Sequence, residues 1–402
     1  MTLRLWILGL TLSLSVMATS AFAHTGMLCP FCPAAAKTFA EEIETMDVSV
    51  IVKLTKLPPK TDAKSDELPK GRFEVIDILR GSQHVKLGEE FEALYFGNGE
   101  IGKTFLVWGV EPPVINWATP LPVTERGQKY LKDSLKLPKD GPERLAFFQN
   151  YLEDKDEMLS RDSYDEFARA PYSALQGMKE KMNHDQLITW IKNKDIPASR
   201  RRLYLCMMSV CGSKDDIPFL EEMVRSTDPH ARGALDALIA SYLSMKGAEG
   251  LPLVEELFLT NKEAAYSDIY SAIMALRFHG TEGGVIDKKL IVKSMRHLLK
   301  NSKLADLIIP DLARWEDWES LETLVVLFKE ADDKSTWVRV PVINFLRSCP
   351  LPRAQEALAE LEKVDPQAVE RAKTFFPFVG PAGATPPAKA PAATPATGSS
   401  AN

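Results

Sequence analysis

The chain has 402 residues, 45% of them hydrophobic and 26% charged, with a formal charge of −6. Those proportions exclude a wholly disordered, collagen-like or polytopic membrane chain, and the length allows more than one domain. The acidic balance offers no general cationic field, so nucleic acid is not expected as a partner.

Residues 1–23 read as a secretory signal peptide. Arg4 precedes a nearly continuous apolar run from Leu5 to Ala18, and Ala21-Phe22-Ala23 places small residues before His24. The run is shorter than the roughly 20 residues of a spanning helix. The mature chain is therefore expected to be exported, periplasmic or secreted, without a transmembrane segment.

Residues 24–46 carry Cys29-Pro30-Phe31-Cys32, then Pro33 and a stretch through Ile43 that predicts a helix with proline at its first position. A local disulfide between Cys29 and Cys32, stapling this segment, suits an oxidising compartment. Redox activity and a metal half-site stand as alternatives, because a thiol at a helix N-terminus is acidified. Pro33 in place of histidine after Cys32 excludes a c-type haem, and the preferred reading carries neither cofactor nor metal.

From 47 to 125 the segments are short and rich in β-branched and aromatic residues: Val48–Leu54, Arg72–Leu79, Phe91–Phe96 and Thr104–Val110, separated by Gly, Pro and Asn. They predict a small antiparallel β-barrel or sandwich. Within it, Gly97, Gly102, Lys103 and Thr104 match a phosphate-binding loop letter for letter. That chemistry needs the loop to open a helix, whose N–H groups hold the phosphates. Strand-like residues on both sides predict a hairpin tip instead, and no nucleotide is expected.

From 126 to 378 the apolar period becomes helical. Breaks recur at Cys211, Gly247, Gly280, Trp315 and Pro350, which are 36, 33, 35 and 35 residues apart, with an earlier one at Ala170-Pro171. Two helices per unit at that period predict an α-solenoid, with an irregular helical bundle as the competitor. Arg200-Arg201-Arg202 reads as a solvated helix face. Cys206 and Cys211 read as buried thiols, and Cys349 has no evident partner. The six histidines form no local metal pair, although His279 and Glu282 flank one break. Trp315, Glu316, Asp317, Trp318, Trp337 and Arg339 have the composition of an interaction surface, and equally of inter-repeat packing, which is the preferred reading. Residues 379–402, almost all Pro, Ala, Thr, Gly and Ser, predict a disordered tail.

Phe73 to Gly81, Gly88 and Phe105 to Gly109 resemble a netrin-like or OB-type barrel. The later helix pairs resemble HEAT-type repeats. The whole layout, including Ala313 to Trp318, is similar to a family of exported bacterial proteins of unassigned activity. These resemblances imply an α+β multidomain chain, a small barrel followed by an α-solenoid. They do not carry over protease inhibition, because the cysteine pattern of the inhibitors is missing. The expected function is non-enzymatic: a binding or scaffold protein offering its repeat surface to a protein of the envelope or extracellular space. A thiol–disulfide or metal role at Cys29 and Cys32 is the alternative, and no catalytic constellation supports an enzyme.

Overall fold

The computed structural model describes residues 31–32, 35–59, 68–97, 99–332 and 336–375. The signal segment, Cys29 and the Pro/Ala-rich tail lie outside the described residues.

Helix α1 (Phe39–Thr45) starts later than Pro33 suggests. Thr38 accepts the Glu41 N–H, and the Glu41 carboxylate accepts the Thr38 N–H, a reciprocal cap that sets the first turn. Six strands follow: β1 (Val48–Lys56), β2 (Lys70–Arg80), β3 (Glu90–Leu94), β4 (Thr104–Val110), β5 (Asn116–Trp117) and β6 (Leu121–Pro122). The sheet order is β3-β2-β1-β4-β5, with β6 also on β4, and the pairs are antiparallel. Phe91 on β3 stacks on Trp117 on β5 with ring centroids 3.8 Å apart, so the two edges nearly close a barrel.

Alternation assigns the two faces. Val48, Val50, Val52 and Leu54 point inward with Phe73, Val75, Phe105 and Val107, while Ile51 and Leu106 turn outward into the helical core. Strand β1 is thus covered on both sides, which explains its almost unbroken apolar sequence.

The hairpin expected at residues 97–104 is not there. Strand β3 pairs with β2 and β4 pairs with β1, so the glycine loop crosses over two strands. Its far end zips onto β1 instead: Gly102 N–H donates to Leu54 O at 2.8 Å and Leu54 N–H to Lys103 O at 2.9 Å.

Helices then run to the end of the described chain. Helices α2 (Glu125–Ser134), α3 (Pro142–Gln149), α4 (Glu157–Arg169) and α5 (Tyr172–Gln176) join the barrel to α6 (His184–Lys192) and α7 (Ala198–Cys211). Next come α8 (Ile217–Arg225), α9 (Pro229–Arg232), α10 (Leu235–Lys246), α11 (Leu251–Val254) and α12 (Tyr266–Phe278). The last are α13 (Lys288–Met295), α14 (Ile309–Arg314), α15 (Leu321–Glu330), α16 (Arg339–Ser348), α17 (Pro352–Val364) and α18 (Pro366–Phe375). The breaks expected from the sequence fall between helices, those at Gly247 and Gly280 becoming a 3₁₀ turn and a π turn.

Packing follows chain order, α7 on α10, α10 on α12, α14 on α16 and α16 on α18, giving a solenoid-like stack beside the barrel. Ion pairs repeat with it. Arg202 reaches Asp236 and Arg277 reaches Asp311, both 34 residues on, at 2.9 and 2.7 Å. In these two pairs the sequence period reappears as a carboxylate held by the arginine of the unit before.

Candidate functional site

The CPFC segment is the most chemically loaded part of the sequence, and its described half is anchored deep in the helices. Phe31 is 5% exposed and meets the Phe278 ring edge-on at 5.3 Å, where Tyr172 also packs edge-on at 5.1 Å. Cys32 is partly buried against the same core. Cys29 lies outside the described residues, and the expected bridge with it. Cys206, Cys211 and Cys349 are free thiols.

Helix α4 holds the next stretch through a row of carboxylates. Asp162, 4% exposed, accepts Phe39 N–H on Oδ1 and the Tyr130 hydroxyl on Oδ2, both at 2.7 Å. Burial is the main cause that pushes its carboxyl up to about 7, with Glu166 and Asp165 adding to the rise. Glu166 is held by both arms of Arg144, and Arg169 reaches Glu41 on α1 at 2.9 Å. Phe39 stacks over Trp108 on the outside of the barrel. The N-terminal segment is thus tied to α4 through Asp162 and Arg169 and to the barrel through Phe39.

Burial settles the reactivity of the neighbouring groups. It pushes the Cys206 thiol up to about 12 and Cys211 to about 11, so both are protonated and unreactive at neutral pH. His279 follows Phe278 into the interior. Its Nε2 donates to Ala240 O at 2.9 Å, and burial lowers it to about 4, so the ring is neutral. Its Nδ1 packs over Gly283 without a hydrogen-bond partner among the described residues. No cluster of three metal-ligating side chains occurs among the described residues.

The glycine loop runs from Gly97 through Gly102 and Lys103 into strand β4, with no helix for a phosphate to meet. Thr104 is structural here: its hydroxyl donates to Val123 O at 2.7 Å and accepts from Gln128 at 3.1 Å, tying the barrel to α2.

The arginine triplet is not a solvated face. Arg200 bonds Glu153 and Ser160, Arg202 bonds Asp236, and the buried Arg201 donates to Ile196 O and His230 O. Their partners come from both neighbouring layers of helices, which no local charge pattern announces.

The aromatic turn residues divide. The Trp315 ring lies so close on Gly280 that a Cβ there would meet it at 2.3 Å. Asp317 is buried under Arg296 and Ser320, and Trp318 packs edge-on against Phe345 at 5.2 Å. Arg339 bonds Asp365 at 2.8 Å and covers the Phe328 ring. Glu316 and Trp337 are exposed.

Sequence reasoning passed over a second aromatic feature. Tyr266 and Tyr270, one turn apart on α12, stand in solvent with rings 15° from parallel and centroids 6.4 Å apart. By contrast Leu203–Met208 of α7 and Ala237–Leu243 of α10 are buried throughout. The spacing of the tyrosines was visible, but it does not distinguish a core stripe from an exposed one.

No helix among the described residues is long and apolar enough to cross a membrane. No family model matches the chain, and comparison with curated proteins finds no match.

Proposed function

We propose that this chain is an exported, non-enzymatic binding or scaffold protein that presents its helical region to a protein partner in the envelope or extracellular space. Within this reading the barrel is OB- or netrin-like and the helix pairs are HEAT-like. The observation that carries it is the solvent face of α12, where Tyr266 and Tyr270 lie open at the start of a helix whose Ile269, Ala272, Ile273 and Leu276 are buried. Exposed aromatic side chains on a rigid stack have the composition of binding hot spots.

The test is affinity capture from the native envelope or medium with the mature protein and with a Tyr266→Ser/Tyr270→Ser variant. A partner held by the first and lost by the second supports the reading. Identical capture by both would move the interface elsewhere.

The thiol alternative keeps one supporting feature, the anchoring of Phe31 between the two cysteines of the motif. A Cys29→Ser/Cys32→Ser variant should stay folded, losing only about 1–2 kcal/mol from a very short loop. Disulfide exchange that turns over and vanishes in that variant would make the protein an oxidoreductase.

A further inference from the structure

We propose that one end of the barrel docks onto an anionic lipid bilayer surface. The strand order brings the ends of β1 and β3 beside the starts of β2 and β4. There Leu68, Phe96 and Ile101 are 60%, 68% and 64% exposed, and Leu57 beside them is also exposed. The backbone holds them in place. Tyr95 N–H donates to Pro69 O at 3.0 Å, Gly102 N–H reaches Leu54 O at 2.8 Å, and Gly99 N–H donates to the Tyr95 hydroxyl at 3.1 Å.

These side chains are not a displaced core. The interior beneath them is already filled by Tyr95, Phe73 and Phe105, whose rings pack edge-on at 5.5 to 5.7 Å. Four large apolar side chains gathered on one rim mark an interaction surface, unlike apolar residues scattered singly.

The charges select the partner. Lys56, Lys70 and Lys103 stand exposed on the same rim, and none is paired with a carboxylate among the described residues. Glu100 is the one carboxylate among residues 54–57, 68–71, 94–97 and 99–104. At the opposite end Leu87 and Val114 are also exposed, but there Glu89, Glu90 and Glu111 outnumber the exposed Arg80 and Lys86. Protein interfaces favour Tyr, Trp and Arg and are poor in lysine. Apolar tips ringed by lysines fit a bilayer instead: the tips enter the acyl boundary while the ammonium groups stay at anionic headgroups. Residues 60–67, outside the described residues, bring two lysines and three carboxylates and are left unaltered in the test.

The experiment is flotation of the full mature chain with vesicles of mixed phosphatidylglycerol and phosphatidylcholine, and with phosphatidylcholine alone. The chain should float with the mixed vesicles and much less with the neutral ones. Phe96→Ser/Ile101→Ser should cut binding to the mixed vesicles by at least about tenfold. Lys56→Gln/Lys70→Gln/Lys103→Gln should cut it by about tenfold or more and remove the preference for anionic lipid. All five side chains are solvent-exposed, so an unchanged circular dichroism spectrum is expected of each variant. Absence of flotation, or equal flotation of wild type and both variants, overturns the proposal. So does a wild-type dimer that Phe96→Ser/Ile101→Ser converts to monomer, which assigns the rim to a second copy. None of these residues lies on a helix, so failure here leaves the helical-surface reading untouched.

Discussion

Replacing Asp162 by asparagine should change how the protein's stability depends on pH. Its carboxyl is pushed up to about 7 from the ordinary 3.8, chiefly by burial. Between those values the folded chain keeps a proton that the unfolded chain releases. Stability from this group is therefore greatest in acid and falls as pH rises, levelling off above about 7. At 1.36 kcal/mol per unit the whole effect is about 4 kcal/mol, of which roughly 2–3 kcal/mol is lost between pH 5 and 8. Asparagine is nearly isosteric and does not titrate. Its carbonyl can take the Phe39 N–H, and its amide can donate to Tyr130, which then donates to Ser163 at the existing 3.1 Å contact. Urea midpoints of wild type and Asp162→Asn at several pH values between 5 and 8 read the difference, and the protection factor of the Phe39 amide reads it locally. Burial lowers the His184 ring, but its hydrogen bonds to Asp185 and Asp216 raise it overall; it is present in both proteins and cancels. The variant should gain on the wild type steadily as pH rises. A pH-independent difference, or a wild type that gains on the variant, would refute the assignment.

Three further outcomes follow from the packing. Phe31→Ala should cost about 3 kcal/mol in the docking of residues 31–45, seen as faster proteolysis there while the helices keep their melting transition. Gly280→Ala should push Trp315 off its seat, read as a red shift and loss of intensity in tryptophan fluorescence. Arg277→Met leaves the buried Asp311 with Arg314 as its one remaining cation among the described residues, and should destabilise the chain to urea by about 3 kcal/mol.

Much of the architecture is legible because it depends on local periodicity. The β-branched, largely apolar run Val48 to Leu54 and the switch to helical spacing after about residue 126 each report burial, whatever covers it. The breaks near Cys211, Gly247, Gly280, Trp315 and Pro350 were visible for the same reason, since a helix that ends must end somewhere in sequence. The cap at Thr38 was legible too, as Thr-x-x-Glu, and was hidden only by giving Pro33 the first claim on the helix start.

Contacts between distant segments decided the rest. Phe31 reads as one residue of a cysteine motif until Phe278 and Tyr172 close around it. Arg200, Arg201 and Arg202 read as a solvated triplet until Glu153 arrives from the α3–α4 turn and His230 and Asp236 from α9 and α10. A strand in sequence does not say which edge it joins, and only the free edge of β1 made the glycine loop a crossover instead of a hairpin. Exposure is likewise a property of what packs nearby, so the sequence by itself determined the elements and their period, and tertiary packing determined which of their faces remain open to a partner.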